Sequence, residues 1–329
     1  MQQSLRSLVL FAGALAVSTA ALAAPPERAI AVGILISGTP DRWKLIGDAL
    51  EQGLREQGYE QGKNLVLHKR TATYPDKRMD AYVEELVGKR LDAIVTACGW
   101  TTRLASKATN KTPIVMATIA DPVGRGFVKS LARPGGNLTG MTGHIVGLAP
   151  KMLEHIRIAV PTAKTIAVLA NGKYRVHDAQ VREAGAAGAA MGMRIVPIDL
   201  HRLTSVAAAR EAFPAEGAQA VMVLPDDDLF FEYLDAIIPA ADELRLPTLF
   251  PKRELVWRGA FMSFGADSRE IVRRSTQHVV KIANGAVAGQ LPIEHPTQVE
   301  LVLNKTKADQ YGIPLPRAAI LRAAEVYSR

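Results

Sequence analysis

From Ala29 onward, apolar runs of strand length alternate with segments whose apolar residues recur at helical spacing. In the first part of the chain the runs are 29–36, 64–70, 91–98, 113–119 and 138–143. Between them, 41–58 aligns Ile46, Leu50, Gly53 and Leu54 on one helical face, and 77–90 aligns Met79, Val83 and Leu86. Near-continuous apolar strands need cover on both faces, and helices supply it in a parallel sheet. The rhythm then restarts with runs at 165–170, 193–200, 218–225, 247–250 and 260–265, separated by helical patterns over 175–192 and 229–245. Two successive sets predict an α/β fold of two similar doubly wound parallel-sheet lobes joined by crossover strands. A long helical pattern over 267–285, the strand-like run 299–304 and a last short helix are placed to cross back between lobes. The expected division is 24–143 plus 266–290 for the N-terminal lobe and 144–265 plus 291–329 for the C-terminal lobe.

A length of 329 residues with 48% hydrophobic content exceeds what one core usually serves, which agrees with two lobes. Residues 1–23 stand apart from both. Arg6 precedes the apolar run 8–23, and Ala21 and Ala23 put small residues where a signal peptidase reads. A cleaved signal peptide and a periplasmic product are therefore expected, without a lipid anchor, because no cysteine follows the cleavage point. Cys98 is the one cysteine, so no intrachain disulfide can form. The formal charge of +8 is spread thinly, and the basic segments 62–70 and 271–281 lack the aromatic interleaving of a nucleic-acid surface. No nucleic-acid partner is expected, and a monomer is.

In open α/β sheets small ligands sit beyond the carboxyl ends of the strands. Those loops are 37–40, 98–102, 120–123, 171–174, 225–228 and 251–254. The candidate contacts are Ser37, Gly38 and Thr39; Cys98, Gly99, Trp100 and Thr101; Ala120, Asp121 and Pro122; Asn171 and Tyr174; Asp226 and Asp227; and, at two strand ends, Phe250 and Ser263. Ser37 and Thr39 lie where a helix begins and suit a carboxylate, or else Thr39 or Asp41 simply caps that helix. Trp100 suits stacking on a ligand or packing between lobes. Asp121 either caps the following helix or accepts from a ligand ammonium. Tyr74 is a weaker candidate. Cys98, ending an apolar strand, reads as a small buried residue before it reads as a nucleophile. The scattered histidines show no metal-binding spacing, and His68, His177 and His278 fall in charged segments expected to be exposed. Neither a metal nor a cofactor is expected.

The segment 120–140 is rich in glycine and basic residues, yet Lys129 stands where a dinucleotide loop needs glycine, and no Gly-Lys-Ser or Gly-Lys-Thr phosphate loop occurs. Pro134, Gly135 and Gly136 are better explained as a turn.

Five stretches, 51–67, 120–140, 220–231, 261–267 and 296–316, resemble the solute-binding components of ABC transporters, in particular the tryptophan-binding, TrpX-like branch. The resemblance runs through nearly all of the mature chain in the same order. It implies lobes that close on one small molecule and deliver it to an inner-membrane ABC permease, without catalysis. The chain departs from the family at 171–178, where Lys173, Tyr174 and Arg175 replace an asparagine- and proline-rich loop, so the ligand's identity does not carry over. An amino acid or related carboxylate is the expected ligand. A periplasmic subunit of a signalling receptor and a secreted enzyme on the same scaffold are the competing readings.

Overall fold

The computed structural model describes residues 28–73, 76–143, 145–225 and 229–328. Strands β1 (Ile30–Ser37), β2 (Leu65–Ala72), β3 (Ala93–Thr96), β4 (Ile114–Ile119) and β5 (Leu138–Thr142) form a parallel sheet in the order β2-β1-β3-β4-β5. Helices α1 (Pro40–Glu56), α2 (Arg78–Val87) and α3 (Gly99–Ala108) follow the first three strands. Every residue of β3, β4 and β5 is buried, as both-face cover requires. The faces read from the sequence are the buried ones: Ile46, Leu50, Gly53 and Leu54 on α1, and Met79, Val83 and Leu86 on α2.

The second lobe begins with α4 (Leu148–Ala159), then β6 (Thr165–Ala170), α5 (Arg175–Ala190), β7 (Arg194–Asp199), α6 (Val206–Ala215), β8 (Ala220–Val223), α7 (Leu229–Glu243), β9 (Thr248–Phe250) and β10 (Met262–Gly265). The chain returns to the first lobe as α8 (Ser268–Ala283), whose Val272, Val279 and Ile282 join the core formed by Ile46, Leu50 and Leu54. Leu291, Ile293 and Glu294 are then held by first-lobe backbone and by Thr139, so that lobe extends beyond the boundary expected at 290. The chain next crosses into β11 (Glu300–Asn304), α9 (Lys305–Tyr311), α10 (Arg317–Ile320) and β12 (Ala323–Tyr327). The second sheet therefore has seven strands, in the order β12-β11-β10-β9-β8-β6-β7, with β11 antiparallel to β10. The short helix expected after the 299–304 run is present as α9, with α10 after it, and the chain then ends in β12, a strand not expected from the sequence. Its burial is only partial, so it lacks the apolar run that marks the inner strands.

The 134–136 turn behaves as read: Gly135 and Gly136 take φ of 75° and 63°. Gly135 N–H donates to Gly289 O at 3.0 Å, which ties this turn to the segment after α8.

His177 and His278 overturn their expected exposure, since each is 1% exposed; His68 is half-buried in β2. A charged neighbourhood in sequence misled here because each imidazole has a backbone carbonyl partner, Pro225 O for His177 and Pro292 O for His278. Burial pushes the His278 imidazole below its ordinary value of 6.5, against the Pro292 carbonyl and Glu294 and with Lys281 and Arg274. His155, packed against the Phe264 ring at 4.2 Å, is lowered as well, chiefly by burial. A folded-state pKa below the unfolded one gives stability that is whole above ~pH 6.5 and is lost as the pH falls through the depressed value. The melting temperature is thus expected to drop between about pH 7 and about pH 5, and His278→Gln to flatten that slope in a thermal titration.

Candidate functional site

The carboxyl ends of β1, β3 and β4 face those of β6, β8 and β9 across the lobe interface. Two of the contacts that cross it lie at the loops. The Arg125 guanidinium, on the loop after β4, lies 4.3 Å from the centroid of the Tyr174 ring on the loop after β6. Ser268 Oγ, at the start of α8, donates to Glu254 Oε1 at 3.1 Å in the loop after β9. A small cavity of about 30 Å³ lies at the hinge side, bounded by Thr118, Ala120 and Gly143 on one side and Pro225, Pro251 and Lys252 on the other. A larger one of about 420 Å³ lies between the start of α1 and residues 254–258.

The first-lobe loops are built from inside. Arg42 stands four residues before Ile46, on the apolar stripe of α1, where a charge must find partners. Its guanidinium donates to Ser37 O at 3.2 Å and Ala97 O at 2.7 Å, fastening the ends of β1 and β3 together. Ser37 Oγ lies 3.1 Å from Cys98 Sγ, which also accepts from Thr101 N–H at 3.5 Å and so caps α3. Ser37, Cys98, Gly99 and Thr101 are all buried, and they shape the loop from beneath.

Thr39 occupies the N-cap of α1 without a side-chain cap bond, and Asp41 lies within the first turn, so neither makes the cap weighed for it. Thr39 is exposed and lines the larger cavity beside Gly38, whose φ is 119°. Trp100 is half-buried and packs against the first-lobe cluster that contains Met79 and Val83. No helix follows Asp121: its Oδ1 accepts from Gly124 N–H at 2.8 Å and closes a turn in place of the expected helix cap, while Ala120 and Pro122 are buried beside it.

In the second lobe Asn171 is 2% exposed and organises its loop. Its N–H donates to His177 Nδ1 at 2.7 Å, so His177 Nε2 carries the hydrogen that meets Pro225 O at 2.9 Å. Asn171 Oδ1 accepts from Lys173 N–H at 3.0 Å and lies 3.3 Å from His201 Nε2. His177 thereby clips the loop after β6 to the loop after β8, and Tyr174 stands half-buried above it with ring centroids 5.7 Å apart. Phe250 and Ser263 are internal: Phe250 belongs to the second-lobe core, and Ser263 is 1% exposed within the sheet. Tyr74, Asp226 and Asp227 lie outside the described residues. Among the described residues no cluster of histidine, cysteine or carboxylate side chains is arranged to hold a metal ion, and no helix is long and apolar enough to cross a membrane.

Arg42, Arg125, His177, Glu254 and Trp257 were not among the contacts expected from the sequence. For Arg42 the signal was its place on an apolar stripe; for the others it was only their position in or beside loops that follow strand ends.

Two parallel-sheet α/β lobes that meet at their strands' carboxyl ends, joined by crossovers, define a two-lobed binding protein of the periplasmic type. The chain belongs to the ABC transporter substrate binding protein family, whose sequence model matches residues 29–327. It is 24% identical over 254 residues to a tyrosine-binding protein of Clostridioides difficile, covering 77% of this chain and 72% of that one. A conserved domain protein from Vibrio cholerae superposes with a TM-score of 0.77 at 27% identity, covering 92% of this chain and 100% of that one. An ABC domain in complex with L-Trp from Streptococcus pneumonia superposes with a TM-score of 0.79 at 22% identity, covering 91% and 100%.

Proposed function

We propose that the chain is the periplasmic solute-binding component of an ABC transporter, that its solute is an amino acid held between the lobes without chemical change, and that it hands this solute to an inner-membrane permease. The observation that carries the ligand class is the pair of relatives named for tyrosine and complexed with L-Trp, which share this frame over most of the chain. Mixed charge on the facing loops supports it: Asp121 and Glu254 stand with Arg42, Arg125 and Lys252, so a zwitterion has counterparts for both its ends.

Native mass spectrometry of the purified protein, followed by a thermal-shift screen, tests the reading. Amino acids are expected to raise the melting temperature, a ligand at 100 times its Kd adding about 2.7 kcal/mol. Stabilisation by neutral sugars alone rejects the amino-acid class. Export is part of the same proposal: intact mass of the periplasmic product is expected to place its first residue at Ala24, and recovery only from detergent-extracted membranes rejects it.

The Arg125–Tyr174 contact supports closure of the lobes over the ligand. A guanidinium over a partly desolvated ring contributes roughly 0.5–2 kcal/mol. Tyr174→Ala is therefore expected to speed ligand dissociation about three- to tenfold in stopped-flow measurements, and Tyr174→Phe to restore it. Equal dissociation from all three proteins removes the contact from closure.

A further inference from the structure

The amino ends of β1, β3 and β4 lie at the opposite end of the first sheet from the cleft, and there they border an open groove of about 670 Å³. Its charged lining is Arg28, Lys89, Arg90, Lys111 and Asp92. The one carboxylate in this lining is spent on the chain itself. Asp92 Oδ2 accepts from Ala31 N–H at 2.8 Å and Oδ1 from the Arg28 guanidinium at 2.5 Å, and Arg28 also donates to Ala283 O at 2.6 Å. That pair is neutral as a whole and fastens the start of β1.

The other three cations are not neutralised in this way. Arg90 and Lys111 are exposed, and among the described residues neither side chain has an ion-pair partner. Lys89 lies 3.4 Å from Glu85, but both oxygens of that carboxylate are already bonded by Arg70. Val66, 50% exposed on β2, adds an apolar side chain to the same groove. Cations in excess around an open, shallow groove suit an extended anionic surface better than one small anion.

The chain brings one such surface within reach. The apolar run read as an export signal ends at Ala23, and the five peptide steps from there to Arg28 cover at most about 18 Å. Until cleavage, with that run in the bilayer, the groove is held beside the membrane, whereas the cleft at the far end of the sheet stays clear of it. An acidic protein has no comparable tether to this face. We propose that the groove docks on the anionic phospholipid surface of the membrane the chain has crossed, through Lys89, Arg90 and Lys111. Each cation near such a surface is worth roughly fivefold in partitioning, so three give about a hundredfold, and salt screens it. Docking then orients the newly exported chain while it is tethered, and cleavage leaves a contact weak enough to break, because stable anchoring takes a second signal. The proposal goes beyond the solute reading and shares only its export step.

The test is flotation of the chain from Ala24 onward with vesicles of phosphatidylcholine, alone or mixed with phosphatidylglycerol. The wild type is expected to float with the mixed vesicles at low salt, to be released by added salt, and to ignore phosphatidylcholine alone. Arg90→Glu with Lys111→Glu is expected to lower the partition coefficient at least tenfold. Lys151→Glu with Arg157→Glu, two exposed cations on α4 of the second lobe, changes the net charge equally and is expected to stay within twofold of the wild type. Equal losses in the two variants make the effect one of net charge and overturn the docking face, as does a wild type that ignores the mixed vesicles. Capture by poly-L-glutamate without flotation also overturns it, in favour of an acidic polypeptide. Should the double reversal fail to fold, Arg90→Gln with Lys111→Gln replaces it, with at least a fivefold fall expected. Export is read separately from the first residue of the periplasmic product, so a chain that starts at Ala24 but ignores the vesicles sinks the docking alone.

Discussion

Arg253→Ala is expected to lower the unfolding free energy by about 2–3 kcal/mol, measured by urea denaturation at neutral pH. Arg253 sits in the 3-10 turn after β9, and its guanidinium bonds Asp267 at the head of α8, Glu300 at the start of β11 and Glu325 on β12. Burial works against the Arg253 charge, but Glu300, Asp267 and Glu325 outweigh it, so its pKa rises above the ordinary arginine value. Removing the cation leaves three carboxylates facing one another. Their side chains retain 23%, 25% and 35% of their exposure, which is why the figure is set below the ~3–5 kcal/mol of a fully buried pair. Changing Glu300 and Glu325 to glutamine in the same protein is expected to recover part of the loss. A change under about 0.5 kcal/mol in the single variant shows the network to be solvated and idle.

The second large effect is expected at Gly140, in the middle of β5. Its φ is 129°, and a Cβ built there comes within 2.1 Å of Met116 O on β4. No side chain fits between those backbones, so Gly140→Ala must part β4 from β5 or unwind the strand, at about 3 kcal/mol or more. Gly136 provides the control. It also has positive φ, 63°, but a Cβ there meets nothing within 4 Å, so Gly136→Ala is expected to cost only about 1–2 kcal/mol. Equal losses for the two variants refute the close-approach account.

The lobes were legible because their strands are buried on both faces and so appear as unbroken apolar runs; β4, with all of its residues buried, is the clearest case. β12 escaped because its residues are only half covered, and neither an apolar run nor a strict alternation marks it. At the site the order of loops could be read, but the side chains could not. Cys98, Thr101 and Asn171 stand at strand ends, as ligand contacts do, yet their polar atoms are engaged in holding the loops together. Loop position alone does not separate a residue that meets the ligand from one that supports it. Glu254 lies in a loop, 251–254, that its place after a strand marked for the cleft, but the enclosure of one of its oxygens comes from packing against α8 and leaves no mark in the sequence.

The return of α8 to the first lobe bears on how the protein is made. Val272, Val279 and Ile282 close the core around Ile46, Leu50 and Leu54. Synthesis proceeds from the amino end, so the whole first sheet has emerged long before its missing cover exists. Until α8 arrives, the stripe on α1 has only part of its packing, and the first lobe remains open to chaperones and to aggregation. A fragment ending at Gly265 is thus expected to yield no folded first lobe, even though it contains every strand of that sheet. The amino-terminal half of this protein is completed by its carboxyl-terminal third, and both lobes must reach their final form together.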